Sequence, residues 1–163
     1  MRRLSRNGGL ILAALGAAAF APSAPAADFS WPTTGRISST YWNWRPSYYH
    51  KAIDIAAPKG TRVGASRSGK IVFRGWDDTG SLTVTIGHGS GYRSSYKHNS
   101  RLSAARGAVS RGTIIAYVGQ TGNATGPHTH LHIERYGTRV YIPGRLYQQV
   151  RRGDPIRWDY PGL

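Results

Sequence analysis

The sequence predicts an all-β fold, a compact antiparallel sheet or sandwich-like single domain, on three observations. Short runs alternate polar with β-branched or aromatic side chains, as half-buried antiparallel strands do. Turn chemistry interrupts them at close intervals, at Pro58-Lys59-Gly60, Asp77-Asp78-Thr79-Gly80, Gly89-Ser90-Gly91 and Tyr136-Gly137. No long amphipathic helix is visible beyond the N-terminal stretch, so alternating β/α units are excluded.

In chain order, residues 1–26 read as a secretory signal peptide. Arg2, Arg3 and Arg6 precede an apolar run from Gly8 to Phe20, and Ala24-Pro25-Ala26 supplies small residues for cleavage. That run is short of the roughly 20 residues a spanning helix needs. The expected product is therefore exported, with no membrane association after signal removal, and monomeric. What remains suffices for one hydrophobic core, assigned to residues 27–143 with a basic C-terminal tail over 144–163. Residues 27–33 form a short Pro-containing lead-in.

Strands are expected at Arg36–Tyr41, Ala52–Ala56, Thr61–Ala65, Lys70–Gly75, Leu82–Gly87, Tyr92–Tyr96, Thr113–Val118, His128–Arg135 and Thr138–Ile142. The stretch 145–152 is compatible with a short helix or with a basic surface tail. The tail mixes Arg145, Arg151, Arg152 and Arg157 with Tyr147, Trp158 and Tyr160, and is expected to pack back on the domain, because Trp and Tyr bury large areas.

With no cysteine, the exported chain is held by packing or by a metal rather than by disulfides. Its formal charge of +15 favours polyanionic surroundings, and for an exported protein anionic cell-wall polymers are the accessible class. A specific nucleic-acid binder would want a concentrated aromatic and basic platform, whereas here the aromatics follow the strand pattern.

Chemistry concentrates in two clusters. In 128–133 His128, His130 and His132, half of the six histidines, alternate with Thr129, Leu131 and Ile133. On a strand the three imidazoles share one face while the apolar residues pack on the other. Neighbouring same-face histidines start about 6.6 Å apart, so one or two can converge on an ion but not all three. The second cluster is His50-Lys51-Ala52-Ile53-Asp54, bracketed by Pro46 and Pro58, with an imidazole and a carboxylate on one side of an extended path. His50, Asp54 and one histidine of the first cluster make three protein ligands and leave a fourth position open, the pattern of a catalytic zinc site. Zinc in such a site acidifies water and polarises a carbonyl, so hydrolysis is the reaction class. His98, at the end of a β-like run, reads as a rim base or donor, and His88, between two glycines, as a structural histidine satisfied by backbone.

The combination of HKAID at 50–54, YKHNSRL at 96–102 and TGNATGPHTH at 121–130 resembles the lysostaphin/LytM-type zinc metallopeptidases, secreted enzymes that cut peptide bonds in bacterial peptidoglycan. The resemblance spans about Ser39 to Pro143. It implies a LytM-type antiparallel β fold, one Zn²⁺ per chain held by His50, Asp54 and His130, and His98 and His128 lining the site as the catalytic pair, their individual roles open. It also implies peptidoglycan peptides as the partner and a cell-wall location. A noncatalytic wall-binding or amidase-activating relative is the alternative, although such relatives are expected to have lost ligands and every ligand position here is filled. Two departures stand out. Ala52 replaces the usual Gly, and the family's HLHFE can be matched in two registers. The gapless one makes His130 the ligand; the other shifts it to His132.

Overall fold

The computed structural model describes residues 28–45 and 48–158. The expected signal peptide lies outside them. Fourteen strands follow in order: β1 (Gly35–Ser39), β2 (Asn43–Arg45), β3 (Tyr48–His50), β4 (Ile53–Ala56), β5 (Arg62–Gly64), β6 (Gly69–Trp76), β7 (Leu82–Gly87), β8 (Tyr92–Lys97), β9 (Asn99–Leu102), β10 (Ala108–Val109), β11 (Ile114–Val118), β12 (His128–Arg135), β13 (Thr138–Val140) and β14 (Gln149–Val150). Every pairing is antiparallel. The expected all-β antiparallel class is the one observed.

The main sheet runs β10-β6-β7-β8-β12-β4-β1-β14, with β13 also on β12; a smaller sheet runs β5-β11-β9, and β2-β3 form a separate ribbon. The inward side chains of both larger sheets meet in one core. Ile37, Ile53, Ile55, Val84, Ile86, Tyr96, Leu131 and Ile133 come from the large sheet, Val63, Ala116 and Val118 from the small one. Fully burying each aliphatic side chain contributes about 1.5–3 kcal/mol. Tyr96 is the one large polar side chain at the centre, and its hydroxyl is satisfied by the Ser66 amide at 2.7 Å and Ser94 Oγ at 2.8 Å.

The first and last described segments close this core. Phe29 and Trp31 are buried, and the lead-in exchanges backbone hydrogen bonds with the C-terminal stretch, Trp31 N to Asp154 O at 2.9 Å and Ile156 N to Phe29 O at 2.8 Å. Over 145–152 there is no helix: a turn around Tyr147 leads into β14, which pairs with β1, and Val150 and Ile156 are buried. Isolated apolar residues in extended segments, Val150 and Ile156, rather than a helical stripe, give those positions their burial. Among the described residues no helix is long and apolar enough to cross a membrane.

Asp77 organises the β6–β7 hairpin. Its Oδ1 accepts from the Thr79 amide (2.9 Å), Thr79 Oγ1 and the Ser81 amide; its Oδ2 accepts from Thr83 Oγ1 (2.9 Å) and Lys97 Nζ (2.9 Å). Partial burial raises the carboxyl's pKa, but these hydrogen bonds outweigh it and hold the group well below the usual carboxylate range. The resulting stabilisation is present above the unfolded-state value of about 3.9 and is lost as pH falls through the depressed folded value. Asp77→Ala should therefore cost about 1–3 kcal/mol at pH 7 in urea unfolding. The gap to the wild type should narrow at pH 3; an equal gap at both pH values would show that the carboxylate's charge is not what stabilises the hairpin.

Candidate metal centre and active site

The strand register builds the site. β12 lies between β4 and β8, with His130 opposite Asp54 on one side and Lys97 on the other. Because side chains alternate, Leu131 and Ile133 fill the core while His128, His130 and His132 face the other way with Asp54. Asp54 is itself clamped between the fully buried Ile53 and Ile55. His50 enters from the end of β3, so the ribbon forms one wall of the cleft.

Three atoms converge. Asp54 Oδ1 is 2.9 Å from His130 Nδ1 and 3.2 Å from His50 Nε2, and the two nitrogens are 3.2 Å apart. Donors 2.0–2.1 Å from a tetrahedral ion lie about 3.3 Å from one another, so the triangle is close to the face of a zinc polyhedron. Two imidazoles and one carboxylate are also the ligand types zinc takes. These three residues form a group able to hold a metal ion.

The surroundings orient the donors. His50 Nδ1 donates to the Thr40 carbonyl at 3.1 Å, which turns the lone pair of Nε2 toward Asp54. Arg45 Nη2 donates to Asp54 Oδ2 and to Ser39 Oγ, both at 3.1 Å, leaving Oδ1 for the centre. Burial raises the Asp54 pKa, yet hydrogen bonds and charge from His130 and His50 outweigh it and hold the group far below the usual range. His130 is pushed down to about 4 by burial, partly offset by Asp54, so it is a neutral imidazole at pH 7.

His98 and His128 stand beside this triangle, their ring centroids 4.7 Å apart. His98 sits between β8 and β9 with φ of 67°, a left-handed conformation costly for a residue with a Cβ. It is held there by its own amide donating to Ser81 Oγ (2.8 Å) and by Asn99 Nδ2, which donates to the carbonyls of Leu82 and Tyr96. A Cβ at Gly119 would collide with the Ser100 amide, so that glycine lets β11 run close under the same bend. His98 Nδ1 donates to Thr121 O at 2.7 Å and His128 Nδ1 to Gly126 O at 2.8 Å, which leaves Nε2 of each as the acceptor. Burial lowers the His98 pKa. His128 Nε2 is 3.7 Å from Asp54 Oδ1.

His132 lies behind His130, with its Nδ1 3.4 Å from His130 Nε2, the nitrogen turned away from Asp54. His88 is remote, bonded through Nδ1 to the Ser68 carbonyl and through Nε2 to Ser94 Oγ. Sequence reasoning missed Arg45, Ser39 and Thr40. The available signal was the alternation of Asn43 and Arg45 with Trp44, which reads as a short ribbon strand.

The model for peptidase family M23 matches residues 48–142. The chain belongs to family M23. The resemblance to lysostaphin/LytM-type peptidases is thereby borne out. The chain is 42% identical over 105 residues to the DD-carboxypeptidase/endopeptidase Mpg of Neisseria meningitidis serogroup B, covering 64% of this chain and 24% of that protein. It is 34% identical over 131 residues to the murein hydrolase activator NlpD of Escherichia coli K12, covering 78% of this chain and 33% of that one. The M23 chain thus spans about a quarter to a third of these relatives. Among solved structures, a zinc-containing peptidase from Vibrio cholerae superposes with a TM-score of 0.65 at 27% identity, covering 73% of this chain and 40% of that chain. Lysostaphin from Staphylococcus simulans does so with a TM-score of 0.59 at 28% identity, covering 71% and 51%.

Adding Zn²⁺ to metal-stripped protein should raise its stability, by about 2.7 kcal/mol at a free concentration a hundredfold above Kd. In thermal melts His50→Ala, Asp54→Ala and His130→Ala should abolish that increment and His132→Ala should retain most of it. The reverse order for His130 and His132 would assign the third donor to His132.

Proposed function

We propose that this M23 chain is an exported, cell-wall-associated zinc metalloendopeptidase that hydrolyses peptide bonds in bacterial peptidoglycan, acting as a monomer on cross-links or stem peptides. The observation that supports this best is the convergence of His50, Asp54 and His130 beside two imidazoles whose Nε2 atoms are free to exchange protons. Zinc, held there by those three residues, would supply Lewis acidity toward a scissile carbonyl and toward water.

The chain's own groups supply the rest. Burial keeps His98 neutral, so its Nε2 can accept a proton from an attacking water or, once protonated, return it to the leaving amine. His128, its ring held by the Gly126 carbonyl, is placed to take the complementary role: once its Nε2 has taken up a proton, it can donate to the developing oxyanion. Arg45 keeps Asp54 aimed by engaging its Oδ2. The cleft between the β2–β3 ribbon and the 123–125 loop, about 610 Å³, is open enough for an extended peptide. The dispersed positive charge suits an anionic wall polymer as surroundings.

The second reading, a noncatalytic module that activates another wall hydrolase, is favoured by the similarity to NlpD. The filled donor set and the two poised imidazoles weigh against it.

Protein freed of its signal segment should carry about one zinc per chain and release new amino groups from isolated peptidoglycan. Chelator should remove that activity, and His130→Ala should reduce it by at least about a hundredfold. Stoichiometric zinc without amino-group release from walls of several compositions would favour the activator reading.

A further inference from the structure

The cleft has an arm that the hydrolytic roles leave unused. β4 pairs with β12 only as far as Ile53 opposite Leu131, and β13 takes up the same edge at Val140 opposite Ile133. Between these two partners the chain entering β4 turns away from β12. A hollow of about 480 Å³ opens there, lined by Tyr48, Tyr49, His50, Lys51, His130 and Arg139. It joins the candidate metal centre through His50 and His130.

Its charge is unbalanced. Lys51 and Arg139 line the hollow and no carboxylate does. Among the described residues Lys51 has no ion-pair partner, and Arg139 has only Glu134, at 3.4 Å in a partly exposed pair outside the lining. A partly exposed pair of this kind is weak, and its single contact leaves the rest of the guanidinium fork for a second anion. The other cations of the cleft are different: Arg45 is matched by Asp54 at 3.1 Å and Lys97 by Asp77 at 2.9 Å. The hollow therefore holds one cation with no ion-pair partner among the described residues and one whose partner stands outside the lining, and its low-dielectric walls focus their field on an anion. Arg139 gives a planar fork suited to a carboxylate and Lys51 a mobile point charge. Tyr48 and Tyr49 add flat walls for the adjoining chain.

We propose that this arm is a subsite for a carboxylate on the substrate peptide, received by Lys51 and Arg139 beside the scissile bond. The inference rests on the peptidase reading and narrows it. A neutral glycine bridge presents nothing for these two cations, whereas a peptide bearing a free carboxylate does. The carboxylate can be a side chain within the peptide or the peptide's own C-terminus.

Two matched sets of short peptides separate these sources and test the subsite. One set carries an internal side-chain carboxylate or its carboxamide, the other a free or amidated C-terminus. Binding to the zinc-loaded protein is measured by calorimetry and hydrolysis is followed in parallel. In at least one set the acid should bind at least about tenfold tighter than the amide, and that set identifies the source. The acid-to-amide ratio should fall toward one in Lys51→Gln/Arg139→Gln and be largely retained in Lys51→Arg. Equal affinity for acid and amide in both sets, or a ratio unchanged in the double variant, would overturn the subsite. Absence of hydrolysis of every peptide and of whole peptidoglycan would instead overturn the peptidase reading, while the binding ratio would still decide the subsite.

Discussion

The site depends on the register between β12 and its neighbours. Opposing His130 to Asp54 and Lys97 fixes which face of a central strand carries imidazoles. A slip of one residue would send Leu131 and Ile133 into the cleft and His130 and His132 into the core, exchanging two favourable burials for two costly ones. The same apolar residues that hold the fold together thus hold the donors in place. Core and centre are the two faces of one strand.

Much of this was legible because period-two alternation is a local signal. β7 and β12 have the expected bounds, and seven further strands fall within a residue or two of expectation. The pieces that escaped are short. β9, β10 and β14 span two to four residues and owe their pairing to partners distant in sequence, which no local pattern encodes. The β2–β3 ribbon was hidden by Pro46 and by aromatics on its solvent face, where Trp42, Trp44 and Tyr49 stack edge to face with more than half of the Trp surface exposed. Arg45 could not be read as the partner of Asp54 for the same reason: nothing local brings β2 to β4.

The histidines show where the limit lies. Alternation places three imidazoles on one face but does not rank them, since ranking depends on which cross-strand neighbour each one meets. His130 meets Asp54 and His50, His128 turns toward His98, and His132 meets Ser95 across β8. The bend that delivers His98 is equally nonlocal, because its left-handed backbone is sustained by Ser81 on one strand and by Asn99 reaching Leu82. Strain of that kind survives only where surrounding hydrogen bonds over-determine it.

The main sheet begins and ends on β10 and β14, each only two residues long. β10 covers only Gly69 and Lys70 of the eight-residue β6, so the outer edge of β6 beyond Ile71 has no strand partner among the described residues, and the register irregularity between Ile71 and Phe73, with Arg74 following it, is what blunts that border against an incoming strand. A cysteine-free protein built almost wholly of β structure would otherwise be vulnerable to edge-to-edge association at high concentration. A bulged border that carries a charge disfavours joining its sheets to those of its neighbours.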